Sequence, residues 1–437
     1  LHRLIRRQRQ MCIRDRLNQA DSELIREILS EKYKEVSNEN EADFFIINSC
    51  GVIAKTERKI LKRLIELKKK NKKIILAGCL PLISPKLSLS IVDGAVAARA
   101  ISKVSKIAER ILKGEEKVFC LKPLQIDKAK ERVKNFSSLC LMKKLQNSVS
   151  EQVSISEGCL GNCSYCTSKF ARGKLKSFYP TYILKEINQL LEYGFKEIQL
   201  TAQDTAVYGL DKNGPKLPQL LEEISKIPAD FKIRVGMMNP KFAKLIYKDL
   251  ISVFHSNKIY KYLHLPVQSG DNKILEKMKR GYRVEDFEKI VYEFKKEFDD
   301  LLLATDIIVG FPGEDEKSFQ KTVKLIERVR PHIINITKFS PRPGTEAKNW
   351  QQLPQTLKNE RTKILREISQ DIRKEDNQKF LGKVFEVLIT EKRKNETLLS
   401  RTNSFKAVIL KEGKIGEKQK VKITDYKINY LIGKILN

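Results

Sequence analysis

Three closely spaced cysteines constrain this chain more than any other feature of its sequence. Cys159, Cys163 and Cys166 lie on the segment Glu-Gly-Cys-Leu-Gly-Asn-Cys-Ser-Tyr-Cys, which is a CxxxCxxC pattern. Thiolates at this spacing can bind three irons of a cubane cluster and leave the fourth iron open to a ligand. A zinc site needs a fourth Cys or His nearby, and none follows; three unrelated buried cysteines are the other alternative. The spacing therefore favours an iron–sulfur loop.

Composition narrows the class of protein further. The chain has 437 residues and eight cysteines, which indicates a reducing compartment, and we expect a cytoplasmic protein. Lys and Arg total 85 against 54 Asp and Glu, and the formal charge of +31 favours a polyanionic partner such as nucleic acid. Basic, solvated helix faces are the alternative explanation. The sequence contains no secretory segment and no apolar run of the roughly 18 residues that a membrane span needs.

Residues 1–16 are rich in arginine and lack a periodic pattern. They could form a disordered basic arm or a transit peptide. The run Met-Cys-Ile-Arg-Asp-Arg at 11–16 also suggests a segment foreign to the native protein. We favour this last interpretation and leave 1–16 out of the expected fold.

The spacing of apolar residues predicts an α/β protein of several domains. Residues 17–117 alternate helices (20–33, 55–70) with strands (44–48, 74–77), as in a small open α/β domain. Residues 118–148 are polar and weakly patterned, which indicates a linker. Residues 149–375 predict a full or partial parallel (β/α) barrel, and 376–437 predict a small all-β module. The six strands predicted for the (β/α) barrel are 153–156, 197–200, 232–235, 263–266, 303–309 and 333–338.

The cysteine loop resembles that of the radical S-adenosylmethionine superfamily, in which an aromatic residue, here Tyr165, precedes the third cysteine. From residue 17 onward the chain resembles the methylthiotransferase family. The motifs at 78–81 and 340–345 are most similar to the archaeal and eukaryotic branch, which modifies threonylcarbamoyladenosine beside the tRNA anticodon. The matching segments are Leu-Asn-Gln-Ala-Asp-Ser-Glu at 17–23, Asn-Ser-Cys-Gly at 48–51, Gly-Cys-Leu-Pro at 78–81, Arg-Val-Gly-Met-Met-Asn-Pro at 234–240, Pro-Val-Gln-Ser-Gly at 266–270 and Phe-Ser-Pro-Arg-Pro-Gly-Thr at 339–345.

The resemblance implies a radical S-adenosylmethionine barrel, a C-terminal TRAM module that binds RNA, and two 4Fe-4S clusters with S-adenosyl-L-methionine as cofactors. One cluster would generate the radical that removes the hydrogen at C2 of the adenosine, and the other would supply sulfur for the methylthio group.

By composition alone, Cys50 and Cys79 are ordinary buried apolar residues, whereas the resemblance makes them ligands of the auxiliary cluster. The family pattern expects the third ligand at position 15, which is Asp15. Either Cys12 replaces it, or the native N-terminal sequence differs.

Several residues at the ends of predicted strands could contact the cofactor. Glycine and amide side chains at such positions are also common in ordinary βα turns, so each is a weak signal. His264 is better explained as a core histidine. The candidates are Tyr165, Gln203, Gln268, Ser269, Gly310 and Pro312.

The predicted partners are the tRNA anticodon stem-loop and an electron donor protein; the oligomeric state stays open. Lysines at 392, 394, 418, 420 and 422 can follow phosphates, and Tyr426 and Tyr430 can stack on bases. A related enzyme acting on isopentenyladenosine or on a ribosomal protein aspartate is an alternative. A catalytically defective iron–sulfur protein that binds RNA is another, because of Asp15.

Overall fold

A parallel sheet of six strands forms the N-terminal domain of the computed structural model, which describes residues 2–5, 16–51, 54–124, 126–393 and 395–436. The strand order is β2-β1-β3-β4-β5-β6. The elements, in chain order, are β1 (His2–Ile5), α1 (Arg16–Ser30), β2 (Tyr33–Val36), β3 (Phe44–Ser49), α2 (Ala54–Lys69), β4 (Lys73–Gly78), α3 (Leu80–Ile83), α4 (Pro85–Leu89), β5 (Gly94–Ala97), α5 (Val104–Leu112) and β6 (Val118–Cys120).

Helices cover both faces of this sheet, because alternate strand residues point to opposite sides. Phe44 and Ile46 pack with α1 and α5, whereas Phe45 packs with α2. The segment that we left out of the expected fold contributes a strand here, since β1 pairs in parallel with both β2 and β3.

Residues 118–148, which the sequence analysis treats as a linker, are ordered in the structure. They contain β6 and two helices, α6 (Lys128–Lys134) and α7 (Ser138–Leu145). Lys128 and Arg132 of α6 are 2% and 4% exposed. The segment thus has helices of its own, and two of its charged residues, Lys128 and Arg132, form buried ion pairs between two domains.

The central domain is a partial (β/α) barrel. Two three-stranded parallel sheets, β7-β10-β11 and β12-β13-β14, are joined by a parallel bridge between Ile233 and Ile259. Its elements are β7 (Ser150–Ser154), β8 (Ser156–Glu157), α8 (Ser168–Arg172), β9 (Lys176–Ser177), α9 (Pro180–Glu192), β10 (Glu197–Thr201), α10 (Leu217–Ser225), β11 (Lys232–Arg234), α11 (Pro240–Phe254), β12 (Tyr262–His264), α12 (Asn272–Lys277), α13 (Val284–Glu297), β13 (Leu302–Val309), α14 (Glu316–Val329), β14 (Ile333–Lys338) and α15 (Gln355–Gln378).

The C-terminal module is a closed five-stranded barrel in the order β15-β16-β17-β19-β18. Its strands are β15 (Val384–Lys392), β16 (Leu398–Arg401), β17 (Ala407–Leu410), β18 (Lys418–Lys427) and β19 (Tyr430–Ile435). The predicted fold class, a small α/β domain followed by a partial barrel and a small β-module, is thus confirmed.

The C-terminal module docks on the N-terminal ends of the barrel strands. Val149, just before β7, donates its N–H to the carbonyl of Thr390, and Lys261, just before β12, donates to the carbonyl of Asn403. Phe405 packs edge-on against Tyr260, at 5.0 Å between ring centroids. The module therefore closes the end of the barrel opposite to the cysteine loop.

None of the described helices has the length and the apolar character that crossing a membrane would require.

Candidate functional site

The CxxxCxxC loop leaves the barrel after β7 and β8, at the C-terminal ends of the strands. Cys159, Cys163 and Cys166 are all half-buried there. The N–H of Gly161 donates to the Sγ of Cys159 at 3.1 Å, and an Nη of Arg280 donates to the Sγ of Cys163 at 3.3 Å. N–H···S bonds of this kind stabilise the thiolate form that an iron ligand needs.

Two sets of hydrogen bonds fix this loop to the barrel. Gly158 donates its N–H to the Oε1 of Gln203 at 2.7 Å, so the predicted cofactor residue Gln203 supports the loop itself. Ser164 donates its N–H to the carbonyl of Met278 and its Oγ to the carbonyl of Lys277. The loop is therefore held from β10 on one side and from α12 on the other.

The surroundings of Cys159 keep its thiol protonated when no metal binds it. Burial, reinforced by the nearby carboxylate of Asp204, raises the pKa of Cys159 to about 12. Burial likewise raises the pKa of Asp204 to about 7, although the N–H groups of Asn239 and Ala206 oppose this. Binding of iron would have to displace the thiol proton, which couples cluster assembly to deprotonation.

The donor set fits a cluster better than a single ion. A structural zinc site takes four ligands on one ion, whereas this loop offers three thiols. A cubane instead takes one thiolate per iron, and the three loop thiols sit close enough to influence one another's ionisation. The loop residues therefore fit the 4Fe-4S cluster that the spacing predicts.

Cys50 and Cys79 follow the neighbouring parallel strands β3 and β4. Both are buried, at 4% exposure each, and the N–H of Cys79 donates to the carbonyl of Ser49 at 2.9 Å. The fold thus brings the two predicted auxiliary ligands to one edge of the N-terminal sheet. Cys12, the candidate third ligand, lies outside the described residues.

Arg172 connects the two groups of cysteines. It ends α8, the short helix that follows the CxxxCxxC loop, and its Nε donates to the Sγ of Cys79 at 3.3 Å. Its Nη1 forms ion pairs with Asp21 at 2.6 Å and with Glu157 at 2.8 Å. Lys128 of α6 pairs with the same two carboxylates, so the four charges balance inside the domain interface.

A second arginine ties the far side of the barrel to the Cys50 segment. Arg342, in the loop after β14, is 5% exposed. It donates to the carbonyl of Gly51 at 2.6 Å and pairs with Glu57 of α2. The loops of β7 and β14 therefore both bind the N-terminal domain beside its cysteines.

The remaining predicted cofactor residues lie near the loop, but each has a local structural role. Tyr165 packs edge-on against Phe311, with 6.1 Å between ring centroids. Gln268 has a left-handed backbone with φ 70°, and Ser269 is 1% exposed and accepts the N–H of Asp271. Gly310 also has a positive φ of 71° and donates its N–H to Glu314. Their role as cofactor contacts stays a prediction.

A Cβ on Gly310 would meet the Lys358 side chain at 2.4 Å, so packing against α15 already requires glycine there. Pro312 borders a cavity of about 450 Å³ that Lys277 and Trp350 also line. Because Lys277 accepts a hydrogen bond from Ser164, this cavity adjoins the outer side of the cysteine loop.

Sequence reasoning missed four charged residues around the cysteines: Asp204, Arg172, Arg280 and Arg342. All four are buried, whereas charged side chains are mostly solvated, so residue type alone does not mark them, although Arg342 lies within the matching segment 339–345. The order Arg-Gly at 172–173, soon after a cysteine motif, is the one signal that could have pointed to Arg172.

Some predicted RNA-binding residues of the C-terminal module are engaged in contacts within the protein, whereas others are exposed. Tyr426 packs against the core of the small barrel, and Lys418 pairs with Asp230 of the central domain at 2.5 Å. Lys420 and Lys422 are exposed, and Lys422 is paired in register with Lys434 on β19. Lys394 lies outside the described residues. The exposed lysines therefore form the basic face of the module.

Comparisons with known proteins cover the three parts of the chain separately. Residues 15–94 match the uncharacterized protein family UPF0004, residues 153–326 match the radical SAM superfamily, and residues 378–436 match the TRAM domain.

Relatives match nearly the whole chain. A probable threonylcarbamoyladenosine tRNA methylthiotransferase of Archaeoglobus fulgidus is 47% identical over 96% of this chain and 96% of its own. The probable enzyme of the same name from Pyrococcus abyssi is 42% identical over 96% and 97%. The human threonylcarbamoyladenosine tRNA methylthiotransferase is 34% identical over 86% of this chain and 64% of its own length.

Among solved structures, a radical S-adenosylmethionine methyltransferase from Kitasatospora setae shares the fold with a TM-score of 0.58, at 12% identity over 79% of this chain and 74% of that one. A cobalamin-dependent S-adenosylmethionine radical enzyme gives a TM-score of 0.53 at 12% identity, over 84% and 55%.

Proposed function

We propose a function from the premise that this chain belongs to the threonylcarbamoyladenosine tRNA methylthiotransferase family. The chain is a radical S-adenosylmethionine enzyme that methylthiolates tRNA, at C2 of N6-threonylcarbamoyladenosine. The observation that carries this proposal is the placement of two groups of cysteines on either side of one buried arginine, Arg172. Methylthiolation requires a radical source and a sulfur source in the same molecule, and this arrangement supplies a place for each.

When bound, the 4Fe-4S clusters and S-adenosylmethionine supply the radical that removes the C2 hydrogen and the sulfur and methyl group that replace it. Cys159, Cys163 and Cys166 would hold the radical-generating cluster. Cys50 and Cys79 would hold the auxiliary cluster, together with Cys12 or its native equivalent. Arg172 and Arg342 fix the two groups relative to each other, because each bonds both the barrel and the N-terminal domain.

The cofactor itself would lie inside the barrel mouth, below the cysteine loop. We assign Gln268, Ser269, Gly310 and Pro312 to its surroundings because they follow β12 and β13 at this end of the barrel. Tyr165 would pack beside the cluster. Gln203 orients the loop through Gly158, so its contribution to cofactor binding is indirect.

The tRNA anticodon stem-loop is the proposed substrate, and the basic face of the C-terminal module is its proposed contact. The high positive charge of the chain supports a polyanionic partner. The proposal includes an electron donor protein that reduces the cluster and a cytoplasmic location, where tRNA is available as substrate.

The test is mass spectrometry of tRNA nucleosides from cells that lack their own methylthiotransferases and express this chain. A methylthio group on threonylcarbamoyladenosine is the expected product. A methylthio group on isopentenyladenosine in the same digest, or on an aspartate when ribosomal proteins from these cells are analysed by peptide mass spectrometry, would overturn the substrate assignment. A Cys159→Ala variant, which should yield no product, is the matched control.

A second candidate function follows from Asp15, which occupies the position of the third auxiliary ligand. A chain that holds only the loop cluster would cleave S-adenosylmethionine and bind RNA without transferring sulfur. Iron and sulfide analysis after anaerobic reconstitution separates the two functions: two clusters per chain support the enzyme, and one cluster supports the defective form. An Asp15→Cys variant that gains the second cluster would identify the missing ligand.

A further inference from the structure

A second polar cavity lies at the other end of the barrel, between the central domain and the C-terminal module. Its volume is about 370 Å³. The barrel, α15 and the turn between β16 and β17 all contribute to its walls. Its lining includes Arg234, Tyr262, Arg373, Arg401, Phe405 and Lys406.

Among the residues that the structure describes, no carboxylate forms an ion pair with either of two arginines in this cavity. Arg234 is 8% exposed, and its Nη2 donates to the hydroxyl of Tyr262 at 3.1 Å. Arg401 donates through Nη1 to the carbonyl of Phe405 at 3.5 Å. The Nε of each arginine is buried and finds no hydrogen-bond acceptor among the described residues. A buried guanidinium without a counter-charge is costly, because its desolvation is not offset.

Both guanidinium groups lie against the same aromatic ring. The centroid of Phe405 is 5.3 Å from the Cζ of Arg234 and 4.2 Å from that of Arg401. Phe405 itself has a left-handed backbone, with φ 64°. The backbone of the hairpin turn is therefore strained at the residue that both guanidinium groups contact, and strain of this kind is common at functional sites.

Two carboxylates, Asp376 in the wall of the cavity and Glu197 beside it, offset part of the positive charge and also bind other groups. Asp376 pairs with Lys379 at 3.2 Å and lies 3.6 Å from His332. The two oxygens of Glu197 accept hydrogen bonds from Ser150, Gln199 and Tyr260. Lys406 donates to the neutral amide of Asn377. The cavity therefore carries a surplus of positive charge.

Arg16, at the start of α1, adds to this surplus. It lines the same cavity, and burial together with repulsion from Arg234 and Arg401 lowers its pKa to about 10. The Glu197 carboxylate opposes this shift but does not cancel it.

We propose that this cavity binds an oxyanion of the tRNA substrate, held by Arg234 and Arg401. Guanidinium groups are the usual protein donors to phosphate and carboxylate oxygens. The proposal rests on the proposed function for the identity of the ligand, but the presence of an anion site does not depend on it.

Two oxyanions of the tRNA share the chemistry that this site recognises. One is a backbone phosphodiester, and the other is the threonyl carboxylate of the modified adenosine. The phosphodiester is favoured because the rim of the cavity includes Ile428 and Asn429, in the turn between β18 and β19 of the RNA-binding module, and Ile428 is 41% exposed. An RNA strand that lies on this module can reach the rim without entering the barrel.

The first test uses inorganic phosphate and the full-length protein. Phosphate at about ten times its Kd should raise the thermal midpoint of the wild type by about 2 °C, because it binds only the folded state. Arg234→Gln and Arg401→Gln should abolish this rise, whereas Arg366→Gln, on the exposed face of α15, should preserve it. An equal rise in all four proteins would overturn the site.

The second test measures the affinity for tRNA as a function of salt. Arg401→Gln should raise the Kd at least about tenfold, the effect of losing one charge-assisted contact. It should also lower the salt slope by about 0.9, the value for one phosphate contact on a duplex. Arg366→Gln should change neither quantity.

Two tRNA samples separate the sources of the oxyanion. If Arg401→Gln weakens unmodified tRNA and threonylcarbamoylated tRNA equally, the site binds a phosphodiester; if it weakens only the modified tRNA, the site binds the carboxylate. No change with either tRNA would overturn the proposal. A chain that binds tRNA through this site but makes no methylthio product would refute the proposed function alone.

Discussion

The two groups of cysteines are built in different ways, although they lie on either side of the same arginine. Cys159, Cys163 and Cys166 belong to one loop, so the local sequence brings them together, as the bond from Gly161 to Cys159 illustrates, although Gln203 and Arg280 also bind this loop. Cys50 and Cys79 meet only because β3 and β4 are adjacent strands of a parallel sheet. A local site of the first kind can be recognised from spacing alone. A site of the second kind depends on the whole domain and on the segment that supplies its third ligand.

The largest expected effect comes from removing one cysteine of each group. Cys159→Ala should abolish both the cleavage of S-adenosylmethionine and methylthiolation, because the loop cluster loses a ligand. Cys79→Ala should abolish methylthiolation but retain cleavage, measured as 5′-deoxyadenosine. Cys120→Ala is the control, since this half-buried thiol lies on β6 and should leave both activities unchanged. Loss of cleavage in Cys79→Ala would mean that the two groups are not independent.

Arg172→Met should have the next largest effect, on stability. The substitution leaves Asp21 and Glu157 buried with only Lys128 as a counter-charge. We expect the free energy of unfolding to fall by about 3 kcal/mol, the usual cost of breaking a buried ion pair. Denaturant titration under anaerobic conditions measures it. Arg366→Met, on the solvent side of α15, should change it by less than about 0.5 kcal/mol.

Gly161→Ala tests the local character of the loop site. A Cβ at this position would lie 3.2 Å from the Sγ of Cys159 and 3.8 Å from that of Cys163. Displacing the first thiol should cost about 1–2 kcal/mol and reduce the occupancy of the loop cluster several-fold, measured as iron per chain. Gly214→Ala is the matched control, because a Cβ there meets nothing within 4 Å. Full iron content in Gly161→Ala would show that the loop adjusts freely.

The smallest expected effect is on how stability depends on pH, and it arises from the ion pairs around Arg132 of α6. Arg132 pairs there with Glu27 at 3.1 Å and with Glu186 at 2.9 Å, and Glu151 lies 3.8 Å away. Burial raises the pKa of Glu27 to about 7 and that of Glu186 to about 8, in spite of Arg132. These carboxyls bind protons more tightly in the folded state than in the unfolded state. The contribution of these two carboxyls to the free energy of unfolding should therefore be greatest below about pH 4.5, and it should decline as the pH rises toward 8.

Glu186→Gln should flatten that decline by up to about 1 kcal/mol per pH unit, as measured by denaturant titration between pH 5 and pH 8. Glu192→Gln, at the exposed end of α9, is the control and should leave the slope unchanged. A steeper slope in Glu186→Gln would reverse the assigned direction of the pKa shift.

Much of the fold could be predicted, because apolar periodicity marks each barrel strand. The strands predicted at 303–309 and 333–338 correspond to β13 (Leu302–Val309) and β14 (Ile333–Lys338). The strand predicted at 153–156 is displaced, since β7 spans Ser150–Ser154; its polar residues Ser150 and Gln152 are buried, contrary to their composition. Polar side chains inside a barrel give no apolar signal.

Only the part of the candidate site that lies within one short segment could be predicted from residue spacing. Cys159, Cys163 and Cys166 follow from spacing, whereas Cys50 and Cys79 needed a family resemblance. Lys128 and Arg132 were assigned to a linker, because the sequence does not show that their acidic partners come from α1 and the barrel. Long-range charge pairing has no periodicity, so it becomes visible only in three dimensions.

The ion pairs of α6 also bear on how a protein of this kind can be rearranged in evolution. Helix α6 supplies cations for acidic residues on both α1 and the barrel. Buried carboxylates of both domains therefore depend on α6 for a counter-charge. A gene fusion that transferred the barrel alone would leave Glu186 buried without Arg132, and would leave Glu157 with Arg172 as its remaining counter-charge. The segments that have to be inherited together are therefore α1, α6 and the barrel, whereas none of these buried ion pairs involves the C-terminal module.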